Sequence, residues 1–166
     1  MIGSVKGTLA AREPDAVLIE TTGGTGYEVR VAPRTLASLP GVGEVVHLSV
    51  HTQVSQDAIT LYGFTDSADR RVFRLVQSVS GIGPKLALAI IGTVEPEALA
   101  RAIAGDDIAG LSKIPGLGKK TAARLCLELK DKLARLFEPS PLASLADPSS
   151  AMDLTAVRDA EDALAA

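Results

Sequence analysis

The chain carries one short pattern twice: Ser80-Gly81-Ile82-Gly83-Pro84-Lys85 and, 35 residues later, Pro115-Gly116-Leu117-Gly118-Lys119-Lys120. In each copy two glycines flank one aliphatic residue, and a lysine follows where a new helical pattern begins. Glycine adopts backbone angles that other residues avoid and lets another molecule approach the main chain closely. The free N–H groups at the start of the next helix form an anion site, and lysine adds a full positive charge. The pattern therefore predicts two phosphate-binding turns of the helix–hairpin–helix type.

The candidate binding residues are the glycines, the aliphatic residue between them and the cations that follow. They are Gly81, Ile82, Gly83, Lys85, Gly116, Leu117, Gly118, Lys119, Lys120 and Arg124. A single Gly-X-Gly is also a common helix stop, and the cations alone are compatible with a solvated surface. However, cations at a helix start oppose the helix dipole, so a bound anion would offset that cost. The repetition favours phosphate binding over two unrelated helix stops.

Charge is distributed unevenly along the chain, whose net charge is −3. Residues 1–63 contain four Lys and Arg against six Asp and Glu, residues 64–138 contain twelve against nine, and residues 139–166 contain one against five. The positive excess therefore lies in the segment that holds both glycine patterns. A phosphate responds to this local charge more than to the total.

The composition suits a cytoplasmic protein of one large or two small domains. The chain has 166 residues, of which 46% are hydrophobic, which excludes wholesale disorder. No stretch approaches the ~18 apolar residues of a membrane span, and the N-terminus lacks a secretion-signal pattern. The single cysteine, Cys126, cannot build a disulfide framework, and a buried, inert thiol is the favoured interpretation.

The N-terminal segment, residues 1–64, has the pattern of a small β-barrel. Alternating or β-branched residues predict strands over 2–9, 17–20, 27–31, 45–50 and 59–62. The piece from Pro33 to Pro40 predicts a short helix between the third and fourth strands. Three strands, a helix and two further strands is the order of a five-stranded OB-fold barrel.

From Ser67 onward the apolar residues follow a helical period. The pattern predicts a helix capped by Asp66, then helices over 85–91 (closed by Gly92), 96–105, 107–112 and 119–137. Residues 65–138 thus predict an all-α domain with two helix–hairpin–helix motifs. Prolines and serines over 139–151 predict a flexible linker, and 152–166 predicts the first helix of an incomplete third domain. The expected fold class is α+β with several domains.

The sequence does not match the motifs that are typical of nucleotide-binding loops or zinc sites. A nucleotide-binding loop requires Gly, four residues and Gly-Lys-Ser/Thr, but here Lys113 and Lys120 occupy the first and last of those positions. His47 and His51 lie four apart on one predicted strand without the cysteine or carboxylate neighbours of a zinc site, so ordinary strand positions are favoured. We therefore expect no cofactor, no metal ion and no catalytic residue.

Several segments in combination resemble the RuvA family, the bacterial subunit that binds Holliday junctions. The segments are Met1-Ile2-Gly3, Gly26-Tyr27-Glu28-Val29, Leu61-Tyr62-Gly63-Phe64, and the two glycine patterns extended to Ala87 and Ala122. The resemblance runs in order over residues 1 to about 137. It implies a non-catalytic protein of recombination and DNA repair that binds four-way junction DNA by its structure.

The resemblance also implies partners and an assembly. The family forms a homotetramer, or an octamer, around an open and roughly planar junction, with the barrels at the centre and the hairpins on the minor-groove phosphates of each arm. Its third domain contacts the RuvB ATPase, which hydrolyses ATP and drives branch migration, and the RuvC resolvase is expected in the same complex. This chain extends at most through the first helix of that domain, so we expect junction binding without stimulated migration.

A second departure from the family concerns the acidic pin at the junction centre. The family places two acidic residues on the turn before the segment Leu61-Tyr62-Gly63-Phe64, whereas this turn, residues 55–58, carries Gln56 and Asp57. Negative charge near DNA repels the backbone and helps to keep strands apart. We therefore expect weaker strand separation and retained junction binding.

Two other functional classes stay open. An enzyme that holds DNA with helix–hairpin–helix pairs, such as a nuclease, glycosylase or ligase, would need a catalytic acid, lysine or metal cluster, and none is evident. A structural RNA- or ribosome-binding module would prefer RNA. Because phosphate contacts carry no base sequence, the leading hypothesis is a binder selective for DNA structure and indifferent to sequence.

Overall fold

The structure is a computed structural model that describes residues 1–137. The predicted linker over 139–151 and the predicted third-domain segment over 152–166 lie outside the described residues. The described part consists of a β-barrel followed by helices, as the sequence predicts.

Five strands close into the barrel. They are β1 (Ser4–Arg12), β2 (Ala16–Glu20), β3 (Gly26–Val31), β4 (Val45–Val54) and β5 (Ile59–Phe64). The order around the barrel is β1-β2-β3-β5-β4, and β4 pairs back to β1. The β3–β5 pair is parallel and the others are antiparallel, with helix α1 (Pro33–Ser38) between β3 and β4. The predicted OB-fold order is confirmed.

Two strands extend three or more residues beyond the predicted segments. β1 continues to Arg12, which pairs with Val17, and β4 continues to Val54, which pairs with Ile59. The sequence pattern ends β4 at Val50 because the following residues are largely polar. Pairing with β5 satisfies their backbone groups, and this long-range ladder is invisible in the local pattern.

The close packing of the barrel explains why residue 63 is a glycine. A Cβ atom at Gly63 of β5 would lie 2.5 Å from Val29 Cγ1 and 2.9 Å from Leu48 Cδ1. Both distances are too short for carbon atoms, so this position admits only glycine unless the barrel core shifts.

The helices are α2 (Ser67–Gln77), α3 (Pro84–Thr93), α4 (Pro96–Ala104), α5 (Ile108–Leu111) and α6 (Lys119–Phe137). Asp66 caps α2 as predicted, because its carboxylate accepts a hydrogen bond from Ala68 N at 2.7 Å. The prediction that Gly92 closes α3 is wrong: the helix continues to Thr93. A Cβ atom at Gly92 would lie 2.8 Å from Ala32 Cβ, so its small size serves a contact with the start of α1.

The barrel and the helices share one hydrophobic junction. Phe64, the last residue of β5, is fully buried, and its ring centroid lies 5.0 Å from that of Phe73 on α2. Tyr62 packs on the same ring at 5.3 Å. The end of β5 thus belongs to the helical core, which fixes the position of α2 relative to the barrel.

A buried ion pair adds a second link between the two parts. Arg34 of α1 donates hydrogen bonds to both carboxylate oxygens of Asp69 on α2, at 3.1 and 3.2 Å, and it also pairs with Glu95 before α4. Asp69 is only 5% exposed. Burial raises the pKa of Asp69, and the neighbouring Arg34 opposes that rise. The buried carboxylate therefore depends on Arg34 for its compensation.

We predict that Arg34→Ala lowers the free energy of unfolding by about 2–3 kcal/mol at pH 7, because it strands the Asp69 carboxylate. The loss is smaller than for a fully buried pair, since the Arg34 side chain is 29% exposed. Without Arg34 the folded-state pKa of Asp69 rises further above its unfolded value. The loss in free energy of unfolding is therefore largest at pH values above that raised pKa. It becomes smaller as the pH falls through that pKa, because the Asp69 carboxylate is then protonated. Urea unfolding at pH 7 and pH 5 measures both effects.

The matched control is Arg30→Ala, which breaks the exposed pair between Arg30 and Asp15 and should cost less than about 1 kcal/mol. The double variant Arg34→Ala/Asp69→Asn should recover part of the loss. A deficit for Arg34→Ala no larger than that of the control, or one independent of pH, would contradict this assignment.

Candidate nucleic-acid interface

The first hairpin turn, residues 78–83, joins α2 to α3. Gly81 has a φ of +91°, in the left-handed region that favours glycine. Ile82 N donates to Val79 O at 3.1 Å, and Ala87 N donates to Gly83 O at 2.9 Å. The chain therefore reverses direction and enters the next helix without an intervening loop.

The second hairpin turn, residues 113–118, joins α5 to α6 and repeats this backbone. Gly116 has a φ of +85°. Leu117 N donates to Ile114 O at 3.0 Å, and Ala122 N donates to Gly118 O at 2.9 Å. Each of these groups lies 35 residues after its counterpart in the first turn. The repeated sequence thus forms a repeated structure.

Neither the backbone conformation nor the packing within the chain requires glycine at the second glycine of each turn. Gly83 has a φ of −81°, which any residue adopts, and Gly118 does not have a positive φ. A Cβ atom at either position would meet nothing within 4 Å. Both residues are exposed. Such a position is explained when another molecule approaches the main chain from outside.

The aliphatic residue between the glycines points inward in both turns. Ile82 is 4% exposed and Leu117 is 2% exposed, and both belong to the helical core. Their side chains therefore anchor the turns and do not face a ligand. Of these two candidate residues, only the main chain is available to a phosphate.

The two turns lie side by side, which the sequence does not reveal. Arg124 of α6 donates a hydrogen bond from Nη1 to Ser80 O in the first turn, at 3.3 Å. Leu86 of α3 reaches the second turn, since a Cβ atom at Gly116 would lie 3.2 Å from Leu86 Cδ1. Arg124 thus ties the turns together as well as adding charge.

The candidate lysines Lys85, Lys119 and Lys120 are exposed. Lys120 is the counterpart of Lys85, whereas Lys119 takes the place of Pro84 in the first helical turn. Among the candidate residues, the second copy of the pattern therefore contributes one more lysine than the first. Together with Arg124, these cations place four positive charges around the exposed glycines.

The pin turn, residues 55–58, connects β4 to β5 at the tip of the barrel. Ser55 closes it, because its N and Oγ both donate to Ala58 O, at 2.9 and 3.1 Å. Gln56 and Asp57 are exposed at the tip. The turn therefore presents one carboxylate and one amide to the surroundings.

The described residues offer no grouping typical of a metal site. Within residues 1–137, no three His, Cys, Asp or Glu residues cluster closely enough to hold a metal ion. Cys126 is buried as expected, at the side of α6 that faces the core. Over the same range, no helix is both long and apolar enough to cross a membrane.

Two family profiles match the chain. Residues 1–63 match the RuvA N terminal domain, which corresponds to the barrel up to Gly63. Residues 73–131 match the SAM-like Helix-hairpin-helix tandem, which spans both hairpin turns.

Curated relatives that cover most of the chain carry the name Holliday junction branch migration complex subunit RuvA. The relative from Laribacter hongkongensis is 48% identical, over 88% of this chain and 74% of that protein. The relative from Geobacter sulfurreducens is 46% identical, over 91% and 75%. The relative from Methylobacterium radiotolerans is 43% identical, over 100% and 80%. From its barrel, its paired hairpin turns and these relatives, the chain belongs to the RuvA family.

Proposed function

We propose that this protein binds four-way DNA junctions by their structure and without catalysis, and holds them open for a branch migration motor. The observation that carries the proposal is the pair of adjacent hairpin turns with the same backbone, exposed glycines and exposed lysines. Two such turns side by side match two backbone segments of one duplex arm. The names of the relatives, which place them in a Holliday junction branch migration complex, support the same function.

Each proposed contact uses the main chain and a neighbouring cation. The N–H groups at the start of α3 and α6 bind phosphate oxygens, with Lys85 on the first turn and Lys119, Lys120 and Arg124 on the second. Gly81, Gly83, Gly116 and Gly118 let the DNA backbone approach, and the buried Ile82 and Leu117 hold the turns in shape. Phosphate contacts position the protein without reading sequence.

The proposed assembly follows the family. We assign residues 1–64 to oligomerisation in a fourfold homotetramer, or an octamer, and residues 65–138 to DNA binding, with one subunit on each arm. The pin turns meet at the junction centre. RuvB supplies ATP hydrolysis and RuvC joins the same complex, with the RuvB contact assigned to the domain that residues 152–166 begin. Light scattering with and without junction DNA measures the number of subunits.

The function is tested by binding to a four-way DNA junction, a duplex of the same sequence and a structured RNA at one salt concentration near 0.1 M. We expect the junction to bind tightest, because only it offers phosphates to all four subunits at once. Duplex binding as tight as junction binding would overturn the proposal. Preferential RNA binding would instead support the RNA-binding class.

We predict that Lys119→Ala weakens junction binding equally for junctions of different sequence, since the Lys119 ammonium group binds phosphate and not a base. The slope of log K against log[salt] should become shallower by about one for each phosphate that is no longer neutralised. Lys130→Ala is the matched control, because this exposed lysine lies on the same helix and already pairs with Asp106 at 2.8 Å. A sequence-dependent loss of affinity, or an equal loss in the control, would contradict phosphate binding at Lys119.

We predict that Gln56→Glu strengthens strand separation at the crossover, because each subunit gains a carboxylate beside the DNA backbone. Fluorescence of 2-aminopurine placed at the junction centre should rise with Gln56→Glu and fall with Asp57→Asn. Junction affinity is measured in parallel. If Gln56→Glu leaves both the fluorescence and the affinity unchanged, the role given to the pin turn is wrong.

A further inference from the structure

A polar pocket lies between the first hairpin turn and the pin turn. It has a volume of about 290 Å³ and is lined by His51, Gln53, Arg74, Gln77 and Ser78. His51 and Gln53 belong to β4, Arg74 and Gln77 belong to the end of α2, and Ser78 is the C-cap of that helix. We call it the bridging pocket, because β4 leads to the pin turn and α2 leads to the first hairpin turn.

The bridging pocket is close in sequence to both the first hairpin turn and the pin turn. Gln53 precedes Gln56 by three residues, and Ser78 precedes Gly81 by three residues. At roughly 3.3 Å per extended residue, each feature lies within about 10 Å of the pocket. That distance corresponds to about three nucleotides of rise along one DNA strand.

The pocket offers a free cation and amide groups. Arg74 is exposed, and no carboxylate within residues 1–137 forms an ion pair with it. Gln77 donates from Nε2 to Gln53 Oε1 at 2.6 Å, which leaves the Gln53 amide N–H groups for another acceptor. Arg70 is held nearby by hydrogen bonds to Gly3 O and Val50 O, at 2.7 and 3.3 Å. The pocket is therefore positive, with donors that point to an anionic ligand.

The charges around His51 are also consistent with a positive pocket. Burial lowers the pKa of His51, and the positive charges of Arg74 and Arg70 on α2 lower it further, while a hydrogen bond with Gln53 opposes them. On β5, Tyr62 lies opposite His51 and is neutral near pH 7, since burial raises its pKa above an ordinary value that is already far above 7. On β1, the charged residue Lys6 lies opposite His47 instead. His51 is therefore neutral at pH 7, and a bound anion would favour its protonated form.

We propose that the bridging pocket binds a phosphodiester group of the junction strand that runs from the first hairpin turn toward the crossover. Arg74 supplies the charge and Gln53 and His51 supply further hydrogen bonds. The inference rests on the proposed function and adds a third phosphate site to the two hairpin turns. Because this site lies toward the pin turn, it is engaged by junctions and not by a duplex held only at the hairpins.

The test compares Arg74→Gln with Arg71→Gln, a matched control on the same helix that is exposed but does not line the bridging pocket. Arg74→Gln should weaken junction binding about tenfold, in line with a charged hydrogen bond, and make the salt slope shallower. Duplex binding by Arg74→Gln, and junction binding by Arg71→Gln, should stay within about twofold of the parent protein. Thermal unfolding checks that both variants remain folded.

A pH series supplies an independent readout. Phosphate binding raises the pKa of His51, so complex formation takes up a proton and junction affinity should increase as the pH falls from about 7.5 to about 6. His51→Gln should remove that increase for junctions and leave duplex binding unchanged. No pH effect on the parent protein, or the same effect in His51→Gln, would exclude His51 from the site.

The outcomes separate this inference from the proposed function. A parent protein without preference for junction over duplex would overturn both. A clear junction preference with Arg74→Gln no weaker than Arg71→Gln would overturn the bridging pocket alone. Equal weakening of junction and duplex by Arg74→Gln would place Arg74 on the arm and contradict its location toward the crossover.

Discussion

The candidate DNA-binding surface depends on one local constraint, the combination of a left-handed glycine with a buried aliphatic neighbour. Gly81 and Gly116 turn the chain through a positive φ, and Ile82 and Leu117 insert into the helical core directly afterwards. With those side chains held inside, the next glycine, Gly83 or Gly118, is exposed at the start of the following helix. The proposed anion site is therefore a consequence of core packing, because the same residues that bury apolar surface also shape the turn.

The barrel and the helices act as one body because they share a core and a buried ion pair. Phe64 carries the end of β5 into the helical core, where its ring packs on Phe73. On another side, Arg34 compensates the buried charge of Asp69. These contacts set the distance between the pin turn and the hairpin turns. A four-way junction has a defined geometry at its centre, so a binder of that structure needs such a rigid spacing.

Charge is separated over the molecule in a way that the net value of −3 conceals. The carboxylates near the α1–α2 contact, Asp69 and Glu95, are paired with Arg34. In contrast, the lysines beside the hairpin turns are exposed and, within residues 1–137, have no carboxylate partner. Because the cations are paired in one region and unpaired in the other, the hairpin turns have a positive local potential even though the chain is acidic overall.

By itself, the sequence determined the strand and helix order, the cap at Asp66 and the repeated turns, because these depend on residues close together along the chain. Only the tertiary structure decided that the two turns lie side by side through Arg124 and that β4 continues to Val54. It also showed that Gly92 serves a contact and not a helix end. Each of these features joins residues far apart in sequence, and the periodicity of a single segment carries no information about which distant segment will pack against it.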